Sequence, residues 1–233
     1  YSVTNGMTCT NNTFQNIKHS ATTQLLGIIY NAAGPLTATD NTFKNISSSS
    51  SSSVSQAIFM IDHQPSVAAI ADVSNNTMLD ISVTSTGTTA IFYGISINTG
   101  SAVTCNNNTI GSAAANNISI ASNAISYGIY KSLAGTLTCN NNTLQGFNLS
   151  NDGSSVKFRG ISSEGGASGG MLSATGNIIR DISVSTTFVG RPFTGIYIQS
   201  NAASNLITKC TIDDLRMAPI AAASAFVEGI YVS

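Results

Sequence analysis

Tryptophan is absent and charge is scarce: Asp, Glu, Lys and Arg make up 8% of the 233 residues, and the net charge is −1. An average domain carries roughly 25% charged residues. Without a basic run there is no footprint for nucleic acid or an anionic membrane surface. No apolar stretch approaches the ~18 residues of a membrane-spanning helix. Cysteine is sparse too, four in the whole chain, which is not a disulfide framework. The chain opens at Tyr1 with no Met and no signal-peptide pattern, so it reads as a mature, processed or partial product. Ser, Thr, Asn and Gly fill the polar positions instead.

What is present is a repeat. At a period of about 33 residues one phrase returns seven times: Cys9-Thr-Asn-Asn-Thr-Phe14, Asp40-Asn-Thr-Phe43, Ser74-Asn-Asn-Thr-Met78, Cys105-Asn-Asn-Asn-Thr-Ile110, Cys139-Asn-Asn-Asn-Thr-Leu144, Gly176-Asn-Ile-Ile179 and Lys209-Cys-Thr-Ile212. A second phrase falls between the copies: Gly27-Ile, Ala57-Ile, Gly94-Ile, Gly128-Ile, Gly160-Ile, Gly195-Ile and Gly229-Ile. Periods of this length mark solenoids, propellers or arrays.

Aligned on Asn12, Asn41, Asn76, Asn108, Asn142, Asn177 and the substituted Cys210, the copies define columns. Two residues on stand Phe14, Phe43, Met78, Ile110, Leu144, Ile179 and Ile212; five residues on stand Ile17, Ile46, Ile81, Ala113, Phe147, Ile182 and Leu215. The Gly-Ile phrase adds Ile28, Ile58, Ile95, Ile129, Ile161, Ile196 and Ile230. All three columns are expected to face inward. Short runs of β-branched apolar residues between Asn, Gly and Ser read as strands, and the same composition argues against helix. The expectation is an all-β, right-handed parallel β-helix (a β-solenoid) of about seven coils, three short strands per coil, forming one domain over residues 1–233.

The motif Asn column is read as a structural ladder, each amide satisfied by its own copies on neighbouring coils. Asn also tolerates the left-handed backbone that a bend there needs. A further column of turn formers comprises Asn16, Asn45, Asp80, Ser112, Gly146, Asp181 and Asp214. Cys9, Cys105 and Cys139 share a small apolar column and read as core filler. Cys105 and Cys139 would stack at ~4.8 Å, within bridging distance, although stacked side chains rarely offer the dihedral; the sequence leaves that bridge open. Coil lengths vary mainly in 47–53, 83–89, 116–126, 151–157 and 186–192, the expected loops.

The pattern resembles the right-handed parallel β-helix superfamily, the pectate-lyase-like fold, and in particular its repetitive surface proteins. The resemblance spans the chain because the repeat does. It implies, for enzymes of that fold, either an acidic calcium cluster with a basic residue or a group of aspartates with a nearby His. Neither is found here. The best acidic constellation is Asp181 with Asp213, Asp214, Arg180 and Arg216, a weak cation or carboxylate candidate that also reads as turn-forming Asp neutralised by Arg. Lys157, Arg159 and Glu164 read as a solvated charged face, and His19 and His63 as isolated surface or gap residues. No cofactor, no metal site and no catalytic residue are expected.

Strand alternation turns Tyr130, Tyr197 and Tyr231 outward, a weak candidate for stacking on sugar rings. Asn-x-Ser/Thr sequons occur at Asn11, Asn45, Asn75, Asn107, Asn117, Asn141 and Asn148. Their number is what chance yields in so Asn- and Thr-rich a chain, but Asn11, Asn75, Asn107 and Asn141 share one column.

No capping segment of different composition is evident, and joining Ser233 to Tyr1 of another copy preserves the period. Ile230 and Val232 at one edge are expected to match Val3, Met7 and Cys9 at the other. The expected function is a structural subunit of an extracellular or cell-surface filament, stacking head to tail with its own copies and carrying glycans along one edge, with no catalysis. The alternatives are a polysaccharide lyase or hydrolase of β-helix type, and a glycan-binding adhesin or tailspike-like fibre.

Overall fold

The computed structural model describes residues 5–20, 24–50, 56–65, 67–85, 90–114, 116–122, 124–150, 157–166, 170–185, 190–200, 204–217 and 225–233. Every regular element among them is a β-strand, and the strands form three parallel sheets. The first sheet stacks seven strands, from Met7–Thr10 to Leu206–Thr208. The third also stacks seven, from Leu25–Tyr30 to Ala225–Val232. The second runs from Thr13–His19 to Thr211–Ile212 and Leu215–Met217; it counts nine strands because two coils break theirs in two. The chain visits the three sheets in the same order on every coil, which makes a parallel β-solenoid. Seven coils less the first and last leave five enclosed on both sides.

Inward columns become ladders. Phe14, Phe43, Met78, Ile110, Leu144, Ile179 and Ile212 pair in register through the second sheet. In the third sheet the ladder is Ile28, Ile61, Ile95, Ile129, Ile161, Ile196 and Ile230. Its five middle members expose no surface, and each such burial stabilises by roughly 1.5–3 kcal/mol. Ile61, not Ile58, holds the second rung. Ile58 belongs to a different inward column, between Leu25 and Phe92, because Met60 rather than Ala57 occupies the glycine position. Glycine is required there on most coils: a Cβ on Gly128 would stand 2.2 Å from Leu144 Cδ2 and 2.7 Å from the Gly160 carbonyl.

A second correction falls on the fourth coil. Ile118, not Ala113, pairs with Ile81 and Phe147. An insertion separates Thr109–Ile110 from Ile118–Ala121, so Ala113 is exposed and Ser112 is not the corner residue. Strands also reach further into the expected loops: Thr42–Ser50, Thr77–Ser85 and Ile118–Ala121 take up part of 47–53, 83–89 and 116–126. The remainders 51–53, 86–89, 123, 151–156 and 186–189 lie outside the described residues, as does Val3.

The asparagine ladder forms as expected and is directional. Each backbone N–H and each Nδ2 donates to Oδ1 of the Asn one coil on: Asn41 to Asn76 at 3.0 and 3.1 Å, Asn108 to Asn142 at 2.9 and 3.0 Å. The second Nδ2 hydrogen goes back to a carbonyl of the preceding coil, Asn76 to Ala38 and Asn142 to Cys105, both at 2.8 Å. Asn41, Asn76, Asn108, Asn142 and Asn177 are buried, and Asn12 begins the ladder at the exposed edge. The left-handed backbone sits one residue earlier than expected, at Asn11, Asp40, Asn75, Asn107, Asn141, Gly176 and Lys209, with φ between 54° and 66°. A second left-handed corner lies at Asn16, Asn45, Asp80, Gly146, Asp181 and Asp214. Two such bends per coil turn the chain inward.

Candidate functional site

The carboxylate candidates do meet. Asp181 and Asp214 occupy equivalent corners of adjacent coils, close enough for their carboxyl groups to influence each other. The Asp214 carboxyl raises the Asp181 pKa, while the Arg216 guanidinium, followed by Asp181, lowers that of Asp214. Arg216 grips Asp214 with both arms, Nε to Oδ1 at 2.8 Å and Nη2 to Oδ2 at 2.7 Å. Arg180 approaches Asp181 at 3.7 Å. Asp213 is exposed beside them. A groove of about 330 Å³ opens here, lined by Asn116, Phe147, Asp181, Ser183 and Arg216. Its charges neutralise one another at the surface, where solvent screens an ion pair to little net stability. Among the described residues no three His, Cys, Asp or Glu side chains gather as a metal-binding group.

The outward face of the third sheet holds the expected tyrosines and more. Phe59 stacks on Tyr93 at 4.8 Å and Tyr93 on Tyr127 at 5.1 Å, with planes within 7° and 3° of parallel. Tyr130 leans against Tyr127 at 4.5 Å. Tyr197 stacks on Tyr231 at 5.5 Å, and the Arg159 guanidinium lies 3.6 Å above the Tyr197 ring. Ring separations close to the coil repeat of ~4.8 Å mean that the rings stack along the solenoid axis. Their faces are turned to one another, and the outer surface presents edges and hydroxyls. Burial raises the hydroxyl pKa of Tyr93 to about 12 and that of Tyr127 further.

Arg159 and Glu164 are not the solvated face expected of them. They pair directly, their side chains only 19% and 18% exposed, and Ser162 Oγ donates to Glu164 Oε1 at 2.7 Å. Tyr93 and Tyr127 were missed because the aromatic column precedes the Gly-Ile phrase by one residue, and only the column after it was read.

His63 is also corrected: it is wholly buried on an inward column, stacked on Tyr30 at 5.5 Å with Nδ1 2.9 Å from the Tyr30 carbonyl. Burial lowers its pKa. Lys131 shares that column two coils on and is equally buried. Its Nζ donates to the carbonyls of Thr99 at 2.9 Å, Leu133 and Ala134. Desolvation pulls its pKa down to about 8. Nothing in the repeat singled it out, since its neighbours in the column are Ile97 and Ser163. His19 lies 3.1 Å from Ser48 Oγ. All four cysteines are free thiols, with Cys105 and Cys139 fully buried and their pKa values raised by desolvation.

The sequons separate by position. Asn11, Asn75, Asn107 and Asn141 are exposed at the first left-handed corner. Asn45 donates to Asn16 at 2.7 Å, and buried Asn117 donates to Asp80 at 2.7 Å. Asn148 is half-buried within the strand Thr143–Ser150.

The end coils repeat the interior columns without covering them. Ile230, Val232 and Leu206 are 51%, 59% and 53% exposed on the last coil. The expected matching of edges needs correction: Met7 and Cys9 belong to the first sheet, Ile230 and Val232 to the third. The rung at the opposite edge equivalent to Ile230 is Ile28.

Compared with known proteins, the chain matches no protein-family description, no curated protein and no solved structure.

Proposed function

We propose that this chain is a structural segment of an extracellular or cell-surface fibre, a rod of stacked coils in the manner of the repetitive surface members of the right-handed, pectate-lyase-like β-helix proteins. The observation that carries the reading is the set of ladders, an isoleucine column and an asparagine column that stack in register from coil to coil. The asparagine ladder reaches Asn177, with Cys210 next in its column, and Ile230 and Val232 continue the inward columns of the third sheet. Among the described residues no donor reaches Asn12 Oδ1, the acceptor that every later ladder Asn has filled. A second copy stacked on either face would extend these ladders.

The side-chain clusters support the same reading. The carboxylate pair is neutralised by arginine, and the aromatic strip stacks on itself. Both spend their chemistry within the rod, where a catalytic or sugar-binding site would direct it outward.

Electron microscopy of the purified 233-residue chain at rising concentration tests the proposal. Rods lengthening in steps of roughly 34 Å, seven coils at ~4.8 Å, support it. A compact monomer at every concentration overturns end-to-end stacking. Turnover of a polysaccharide that is lost in the Asp181→Asn, Asp214→Asn double variant would overturn the structural reading in favour of an enzyme.

A further inference from the structure

The exposed sequon column divides the coils into those that can carry a glycan and those that cannot. Asn11, Asn75 and Asn141 stand on the first, third and fifth coils, each exposed and each in the left-handed conformation, with φ of 57°, 59° and 55°. Among the described residues their Nδ2 groups donate to no partner. Asn107, on the coil between Asn75 and Asn141, differs: its Nδ2 donates to Asn75 Oδ1 at 3.2 Å. The second coil has Asp40 at this position, the sixth Gly176 and the seventh Lys209.

We propose that this edge is an N-glycosylation row occupied on alternate coils, at Asn11, Asn75 and Asn141, with Asn107 left bare. The proposal rests on the extracellular reading above. In the transfer, the Asn Nδ2 attacks the anomeric carbon of a lipid-pyrophosphate-linked oligosaccharide. A C–N bond forms, the C–O bond to pyrophosphate breaks, and the amide nitrogen loses a proton.

Two features set the alternation. Adjacent coils are ~4.8 Å apart, narrower than a branched oligosaccharide, whereas alternate coils give about 10 Å. The sequon threonines Thr77, Thr109 and Thr143 also pair rung to rung in the second sheet, so the edge cannot splay to make room. Transfer precedes folding, so the fold acts as a filter: chains glycosylated on neighbouring coils fail to stack. Asn45 and Asn117 meet the same filter, because a glycan on either would break the amide contacts to Asn16 and Asp80 that the folded second corner requires.

The test is secretion of the full chain from a eukaryotic host, followed by glycopeptide mass spectrometry of the soluble, protease-resistant fraction. The expected result is occupancy at Asn11, Asn75 and Asn141 with Asn107 unmodified. Removing the neighbouring sequons with Thr77→Ala and Thr143→Ala should then move occupancy onto Asn107. Co-occupancy of Asn75, Asn107 and Asn141 on one molecule overturns the proposal, as does modification confined to Asn45, Asn117 or Asn148, or none at all. The pattern is read on single chains, so it stands or falls separately from rod formation.

Discussion

Asn142 and Asn177 are 35 residues apart in sequence and joined amide to amide: Asn142 Nδ2 donates to Asn177 Oδ1 at 2.9 Å. The backbone N–H of Asn142 donates to the same oxygen at 3.0 Å. One buried carbonyl thus satisfies a side-chain and a main-chain donor together, where water does not reach. The pairing also fixes register. A slip of one residue would put the inward apolar set outside and leave the amides unpaired.

Replacing Asn142 with Ala removes the Oδ1 that accepts from Asn108 N and Asn108 Nδ2. It also strands the Cys105 carbonyl. An unsatisfied buried group costs about 1–3 kcal/mol, so the expected loss is about 3–5 kcal/mol, seen as a lower denaturant midpoint. Asn12→Ala, at the exposed edge, should cost about 1 kcal/mol or less. Equal losses at the two sites would show that burial does not govern the ladder.

The inward isoleucine column gives a second contrast. Ile129→Asp places a charge between Ile95 and Ile161, both fully buried. An unpaired buried charge costs several kcal/mol, so the variant should fail to fold. Ile230→Asp puts the same charge on a residue that is 51% exposed and should express normally. Circular dichroism and thermal melts distinguish them; an ordinary melting curve for Ile129→Asp would place that column outside the core.

Lys131 predicts a pH dependence. Burial lowers its folded pKa to about 8 from an ordinary 10.5. Between those values the unfolded chain binds more protons than the folded one, so stability rises with pH across that window. Three carbonyl acceptors oppose the shift by favouring the ammonium. Urea midpoints from pH 7.5 to 10.5, for the wild type and Lys131→Met, isolate the effect. The wild type should gain relative to the variant; a constant difference would show that the carbonyls hold the ammonium charged throughout.

Much of this architecture is legible in the sequence because stacking makes each column repeat. Phe14 to Ile212 and Asn12 to Cys210 could be aligned by eye, and both are true ladders. Where a coil departs from the period, the signal fails. Ile58 is not the rung that Ala57-Ile suggests, because Met60 stands at the glycine position and Ile61 follows it. Ala113 was misplaced because an insertion in the fourth coil is silent in a seven-copy average. Lys131 carries no signal in the repeat, and Arg159 and Glu164 read as a solvated face, for another reason. Each occurs once, and its meaning lies in the carbonyls or rings it touches rather than in a repeated spacing. The acidic corner at Asp181 and Asp214 is legible because both residues share a column, although the Arg216 that clamps Asp214 does not.

The uncovered last coil yields the final prediction. Ile230 and Val232 continue the inward columns of Ile196 and Ile198, yet in this 233-residue chain they are 51% and 59% exposed, and an open β-edge recruits any chain offering matching backbone and side chains. Charged side chains at an edge are a known barrier to such pairing. Ile230→Lys with Val232→Lys should therefore suppress rod growth while leaving the unit intact. Substitutions at exposed sites usually change stability by about 0.5 kcal/mol or less, so the melting temperature should hardly move. Mixing the variant with the unmodified chain should terminate growing rods at one end only, because the variant's first coil still presents Asn12 and Ile28 to a partner's last coil. Electron microscopy at a series of mixing ratios then reads rod length directly. Mean length should fall as the variant fraction rises, and lengths that ignore that fraction would show that rods do not grow through this face.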